Sequence, residues 1–107
     1  MIRDTIFLLK PSFSSEAGAA QFCPDCMLIE GVLAAHGDRL GSVKVVHVDF
    51  PRPRTGLVEI VGEDRQGCPC LVRQREGEVI EVISEPRDIL AYLHRTYDIP
   101  AARGLVS

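Results

Sequence analysis

Apolar residues in this chain fall into short blocks, some continuous and some spaced at three to four residues. Ile6 to Leu9 is a continuous apolar run without alternation, the pattern of a strand buried on both faces. From Pro24 to His36 the spacing turns helical, with Leu28, Ile29, Val32 and Leu33 in one stripe that Ala35 borders. Pro24 suits a first helical position and Gly37 a stop. Val43 to Val48 is β-branched and reads as a second strand. With a helix between them, the two strands are expected to be parallel neighbours in a right-handed βαβ unit.

The second half is less regular at first. Two prolines in Asp49-Phe50-Pro51-Arg52-Pro53-Arg54 remove donors and fix φ, so no regular element fits there. Leu57, Ile60 and Val61 predict a short helix ending at Gly62. Cys70 to Gln74, a turn at Glu76-Gly77, and Val79 to Ile83 read as an antiparallel hairpin. A last helix is predicted from Pro86 to Tyr97, with Ile89, Leu90, Leu93 and Tyr97 inward. Residues 10–22, rich in Ser, Gly and Ala, are expected to form a long connector of the kind that serves as a lid or binding loop, or is disordered. The tail beyond Pro100 is expected to be loosely held. The order is β-α-β-α-β-β-α in a single domain with no repeats.

At 107 residues, 46% hydrophobic and 25% charged, the composition suits one soluble domain with a modest core. A formal charge of -3 argues against a nucleic-acid or anionic-membrane partner, and Arg52-Pro53-Arg54 is too short to reverse that. No apolar run approaches a membrane span, and the N-terminal run lacks the length and cleavage site of a secretory signal. The expectation is a cytoplasmic protein, where paired cysteines tend to be redox-active or metal-binding rather than structural disulfides.

The chemistry lies in Cys23-Pro24-Asp25-Cys26 at the start of the first helix. Two thiols three positions apart there sit one above the other on the first turn, beside unpaired N–H groups and the positive end of the helix dipole. Such surroundings lower a thiol pKa from ~8.5 to between ~3.5 and ~7.5. Cys23, the N-cap, is the candidate nucleophile, and Cys26, a turn deeper, the candidate resolving thiol. Asp25 opposes thiolate formation by its charge. The plainer alternative is a buried Cys26 and an inert Cys23.

Arg52 and Arg54 in the proline-rich loop could clamp an anion. More simply, they are solvated and pair with Asp49 or Glu59. The strip Arg73 to Glu78 reads as a solvated hairpin tip. His36 and His94 are expected on exposed helix positions, and His47 as a hydrogen-bonded core or edge residue. None is spaced as a metal site or a nucleophile–base pair.

The element order, with a Cys-x-x-Cys opening the first helix and a proline entering the third strand, resembles the thioredoxin fold in its short glutaredoxin-like form: an α/β domain with a four-stranded mixed sheet and helices on both faces. Phe7-Leu8-Leu9-Lys10-Pro11, Cys23-Pro24-Asp25-Cys26 and Asp49-Phe50-Pro51-Arg52-Pro53-Arg54 are similar to stretches of an uncharacterised bacterial thioredoxin-like family, a domain of unknown function. The resemblance implies that Pro69 is cis and stands beside the Cys-x-x-Cys, aligning substrate backbone. It also places Cys68 at the mouth of the site and turns Cys70 into the sheet. Pro24, Asp25 and Cys68 would then border the substrate. Ser84-Glu85 before the last helix looks like the stretch with which glutathione transferases hold glutathione, although Pro86 stands where a serine is usual.

Cys70 is more simply a core residue, whereas Cys68 is open between core and site. Four thiolates, Cys23, Cys26, Cys68 and Cys70, could hold zinc or an iron–sulfur cluster, but a Cys-x-Cys half is tighter than the usual structural zinc spacing. The leading expectation is thiol–disulfide exchange with a disulfide-containing protein or glutathione, with no cofactor required. A metal-holding or purely docking module and a glutathione-dependent transferase are the alternatives.

Overall fold

The computed structural model describes residues 1–14 and 18–104. In chain order the elements are β1 (Ile2–Leu9), β2 (Phe13–Ser14), β3 (Ala20–Gln21), α1 (Pro24–His36), β4 (Lys44–Val48), α2 (Thr55–Val61), β5 (Cys70–Arg75), β6 (Glu78–Ile83) and α3 (Pro86–Tyr97), with a 3₁₀ turn at Gly37–Arg39. The main sheet runs β4-β1-β5-β6. β1 and β4 are parallel, pairing Thr5 with Lys44 through Leu9 with Val48, while β5 is antiparallel to both β1 and β6.

Side-chain alternation along β1 assigns the two faces. Asp4 bonds to Tyr92 and Tyr97 of α3, so the even positions look toward α3, against which α1 also packs. Arg3, Thr5 and Phe7 share a cavity with Gly56 and Ile60 of α2, so the odd positions look toward α2. With helices on both sides, every β1 residue from Asp4 to Leu9 is buried. That is why the sequence there is an unbroken apolar run. The core is built on Ile6, Phe7, Leu8, Ile29, Leu57, Leu71, Val72, Ile89 and Leu93.

Local chemistry sets the boundaries. α3 starts at Pro86, which needs no N–H partner at a first helical position, and ends where Asp98 turns left-handed at φ 58°. The β5–β6 turn has Glu76 and Gly77 at φ 52° and 87°, the two positive values of a tight hairpin loop, which Gly adopts without steric cost.

Several expectations need correction. Leu28 is exposed, because the buried line on α1 runs through Cys26 and Ile29, flanked by partly buried Val32 and Leu33. The stretch 10–22 is not a featureless connector. Phe13 pairs with Gln21 and Ser14 with Ala20 in a small ladder that leads directly into α1. Any lid role for residues 15–17, and the character of the tail at 105–107, lie outside the described residues. Just before the tail, Ile99 is buried and its carbonyl lies 2.7 Å from a His94 ring nitrogen, so His94 is not a free surface residue. His36 is likewise half-buried, while His47, exposed on edge strand β4, bonds to Glu30 at 3.0 Å. Arg73 is no solvated tip: its guanidinium lies 5.0 Å from the Tyr92 ring and ties to Glu81 at 2.7 Å.

Candidate active site

Where α1 begins, Cys23 holds extended backbone angles, φ -83° and ψ 112°, and caps the helix. Its carbonyl accepts the first helical bond from the Met27 N–H at 3.0 Å. Its sulfur accepts the Cys26 N–H at 3.1 Å, the place a serine or aspartate oxygen fills in ordinary helix caps. The Cys23 side chain is half-exposed, and its S–H faces the Cys68 carbonyl at 3.9 Å. Pro24 occupies the first helical position, and Asp25 sits beside it on the exposed first turn.

Cys26 lies beneath, fully buried, with its sulfur accepting the Leu9 N–H of β1 at 3.5 Å. Burial, followed by the hydrogen bond with Cys23, pushes the Cys26 thiol up to about 12, while the Leu9 N–H works the other way. All four cysteines are free thiols.

Cys68 and Pro69 precede β5, and the peptide bond between them is cis. Cys68 is half-exposed and Pro69 buried. The Cys68 thiol is raised on balance: burial is the largest cause, the nearby Arg54 charge works against it, and Cys23 adds to the rise. Cys70 pairs with Phe7 in the sheet, and burial pushes its thiol up to about 12. It is core, as the simpler reading of the sequence had it. The four sulfurs do not form a metal set. Among the described residues no three Cys, His, Asp or Glu side chains converge to hold an ion.

Arg54 differs most from its plain sequence reading as a solvated loop residue. It is only 7% exposed. Its Nε donates to the Phe50 carbonyl at 3.0 Å and its Nη1 to the Gln66 carbonyl at 2.6 Å, while its backbone N–H donates to the Gln66 side-chain oxygen at 2.8 Å. The guanidinium also lies 5.5 Å from the Phe50 ring centroid. These carbonyls and the ring offset the cost of taking the cation out of water. Asp49, one of its expected partners, pairs instead with Lys10 at 2.7 Å. Arg52, by contrast, is exposed.

Two of the singled-out sequence stretches therefore meet. Lys10 ties to Asp49, and Phe13 of β2 stacks face to face on Phe50 with centroids 4.2 Å apart. Phe13, Phe50, Arg54 and Cys68 form a continuous line of contacts leading to the neighbour of Cys23. Gln66, which fixes Arg54 from the loop before β5, carried no sequence signal, since a lone glutamine in a polar loop looks like any other. Phe13 and Phe50 could have been suspected only as isolated aromatics flanking polar loops.

Ser84 and Glu85 are exposed and line an open depression with Glu81, Asp88, Ala91 and Arg95. Cys23, Cys26 and Cys68 do not line it. Glu85 caps α3 with its backbone and makes no side-chain capping bond. In this depression the anticipated glutathione contacts do not meet the sulfurs.

This topology, with a dithiol at the tip of the first helix, is the thioredoxin fold. Thioredoxin O2 of Arabidopsis thaliana, in its oxidised state, superposes with a TM-score of 0.52 over 91% of this chain and 76% of its own, at 15% identity. Chlamydomonas reinhardtii thioredoxin f2 gives 0.54 over 92% and 82%, at 13% identity. Within that fold the chain belongs to the DUF3088 family of proteins of unknown function, whose family model matches residues 3–101. No curated protein matches it. Among the described residues no helix is long and apolar enough to cross a membrane.

Proposed function

We propose that this protein is a thiol–disulfide oxidoreductase that acts through Cys23 and Cys26 on a disulfide-bearing protein. One observation carries the reading: the sulfur of a partly exposed Cys23 at the helix N-terminus accepts the Cys26 N–H at 3.1 Å, with Cys26 itself buried. A donor aimed at the sulfur stabilises negative charge that builds there, and solvent access admits the target disulfide. Cys23 attacks one sulfur of that disulfide and expels the other as thiolate. Cys26 then attacks the Cys23 sulfur, releasing the reduced partner and leaving a Cys23–Cys26 disulfide. Pro69 and the Cys68 backbone, beside the sulfur, are where the substrate chain would lie. The exchange needs no cofactor. A reducing compartment such as the cytoplasm would return the pair to the dithiol. Likeness to thioredoxins supports the fold, and the sulfur geometry supports the chemistry. Turnover of a protein disulfide or of glutathione disulfide, coupled to a chemical dithiol, tests it. Cys23→Ser is expected to reduce turnover to background, and undiminished turnover by that variant would end the reading.

A further inference from the structure

The two-thiol cycle leaves one half-exposed sulfur at the mouth without a role. Cys68 sits next to Cys23, whose sulfur is 3.9 Å from its carbonyl, whereas Cys70, two residues on, is in the core. A cation has been buried to meet it. Arg54 is fixed by the Phe50 and Gln66 carbonyls and the Phe50 ring, and its charge works against the burial that raises the Cys68 thiol. Among the described residues no carboxylate lies within ion-pair distance of Arg54. A buried arginine held by two carbonyls and placed near that sulfur favours negative charge on it.

We propose, on the basis of the dithiol reading above, that Cys68 is a second resolving thiol, competing with Cys26 for the mixed disulfide on Cys23. In that intermediate the Cys23 Sγ is bonded to a substrate sulfur. The Cys68 thiolate, held by Arg54, attacks the Cys23 Sγ. A Cys23–Cys68 bond forms, the bond to substrate breaks, and the substrate sulfur leaves as a thiolate that takes its proton from water. The substrate disulfide gains two electrons, and the two protein thiols supply them. Attack by Cys26 on Cys23 then expels Cys68 as a thiolate to Arg54 and leaves the Cys23–Cys26 disulfide. Arg54 thus favours Cys68 both as attacking and as leaving group, since a stabilised thiolate departs faster. Burial raises both thiols, but only Cys68 has a cation working against it.

The experiment compares Cys26→Ser with Cys26→Ser/Cys68→Ser, each treated with one equivalent of dithiobis(nitrobenzoate), followed by acid trapping and peptide mass mapping. The expected result is release of both reagent thiolates from Cys26→Ser with a Cys23–Cys68 disulfide. The double variant should release one and retain the other on Cys23, with the second release at least about tenfold slower. If Cys26→Ser also retains the reagent on Cys23, Cys68 does not resolve, and the two-thiol proposal stands without it. If Cys23 takes up no reagent in either variant, both proposals fall.

Discussion

The Arg54 guanidinium, almost wholly buried, lies close enough to Cys68 for its charge to oppose the burial that raises that thiol. Arg54→Gln removes the main influence opposing burial of the Cys68 thiol, and its alkylation profile is expected to move to higher pH. Arg54→Lys should recover part of that displacement. The Phe50 and Gln66 carbonyls also lose their donors in Arg54→Gln, at about 1–3 kcal/mol for each unsatisfied group, so the urea midpoint should fall as well. A lowered midpoint with an unchanged Cys68 profile would mean that Arg54 only braces the loop.

Asp25 stands on the first turn of α1, where a negative charge near the sulfur resists a second one. Asp25→Lys is expected to speed Cys23 alkylation at neutral pH about two- to fivefold at low salt, the usual scale for one exposed charge at a helix end. The gain should shrink as salt is raised. A salt-independent effect would point to altered packing instead.

Alkaline stability follows from the buried thiols. Cys26 and Cys70 are held as thiols up to about 12, against an ordinary value of 9.0. Above pH 9 the unfolded chain gives up protons that the native protein keeps, so the unfolded state binds fewer and stability falls as pH rises. The contribution is complete below the ordinary value and is lost progressively toward the native one. Tyr92 and Tyr97, raised first by burial and then by their bonds to Asp4, act in the same direction. The urea midpoint under reducing conditions should be flat near neutrality and fall above about pH 9.5, less steeply in Cys70→Ala. A midpoint that climbs with alkalinity would contradict this.

Asp4, near the far end of β1, accepts the hydroxyls of both Tyr92 and Tyr97 and so fastens α3 to the central strand. It lies five residues from Leu9, about 16 Å along the strand from the Cys26 contact. Asp4→Ala leaves both hydroxyls without their acceptor and is expected to cost about 2–4 kcal/mol. Tyr97→Phe, which keeps the Tyr92 bond, should cost less. Thiol exchange by the folded fraction should match the unchanged protein in both. Loss of exchange in parallel with melting temperature would show instead that the two ends of the sheet are coupled.

Much of this architecture was legible in the sequence because burial on two faces and helical spacing leave strong marks. The run ending at Leu9 and the stripe through Ile89, Leu90, Leu93 and Tyr97 lie where periodicity placed them. The position of the Cys23–Cys26 pair at the start of α1 was legible because Pro24 suits a first helical position and the apolar spacing begins just after it. What sequence could not reveal were polar groups whose environment is made by distant residues. Arg54 in a proline-rich loop has the composition of a solvated tip, and only Phe50 and Gln66, brought together by the fold, make it an interior cation. Asp4 between Arg3 and Thr5 was equally silent, since its partners Tyr92 and Tyr97 lie 88 and 93 residues away. Leu28 misled for the opposite reason: one residue's rotation about a helix axis separates core from solvent, and composition cannot tell adjacent leucine and isoleucine apart.

The Leu9 N–H donates a hydrogen bond to the Cys26 sulfur, and so ties the end of central strand β1 to the sulfurs at the helix tip. That nucleus is a built-in gauge. Its resonance position and its solvent-exchange rate would register what has happened to the sulfur, in unlabelled cysteines and without any dye at the mouth.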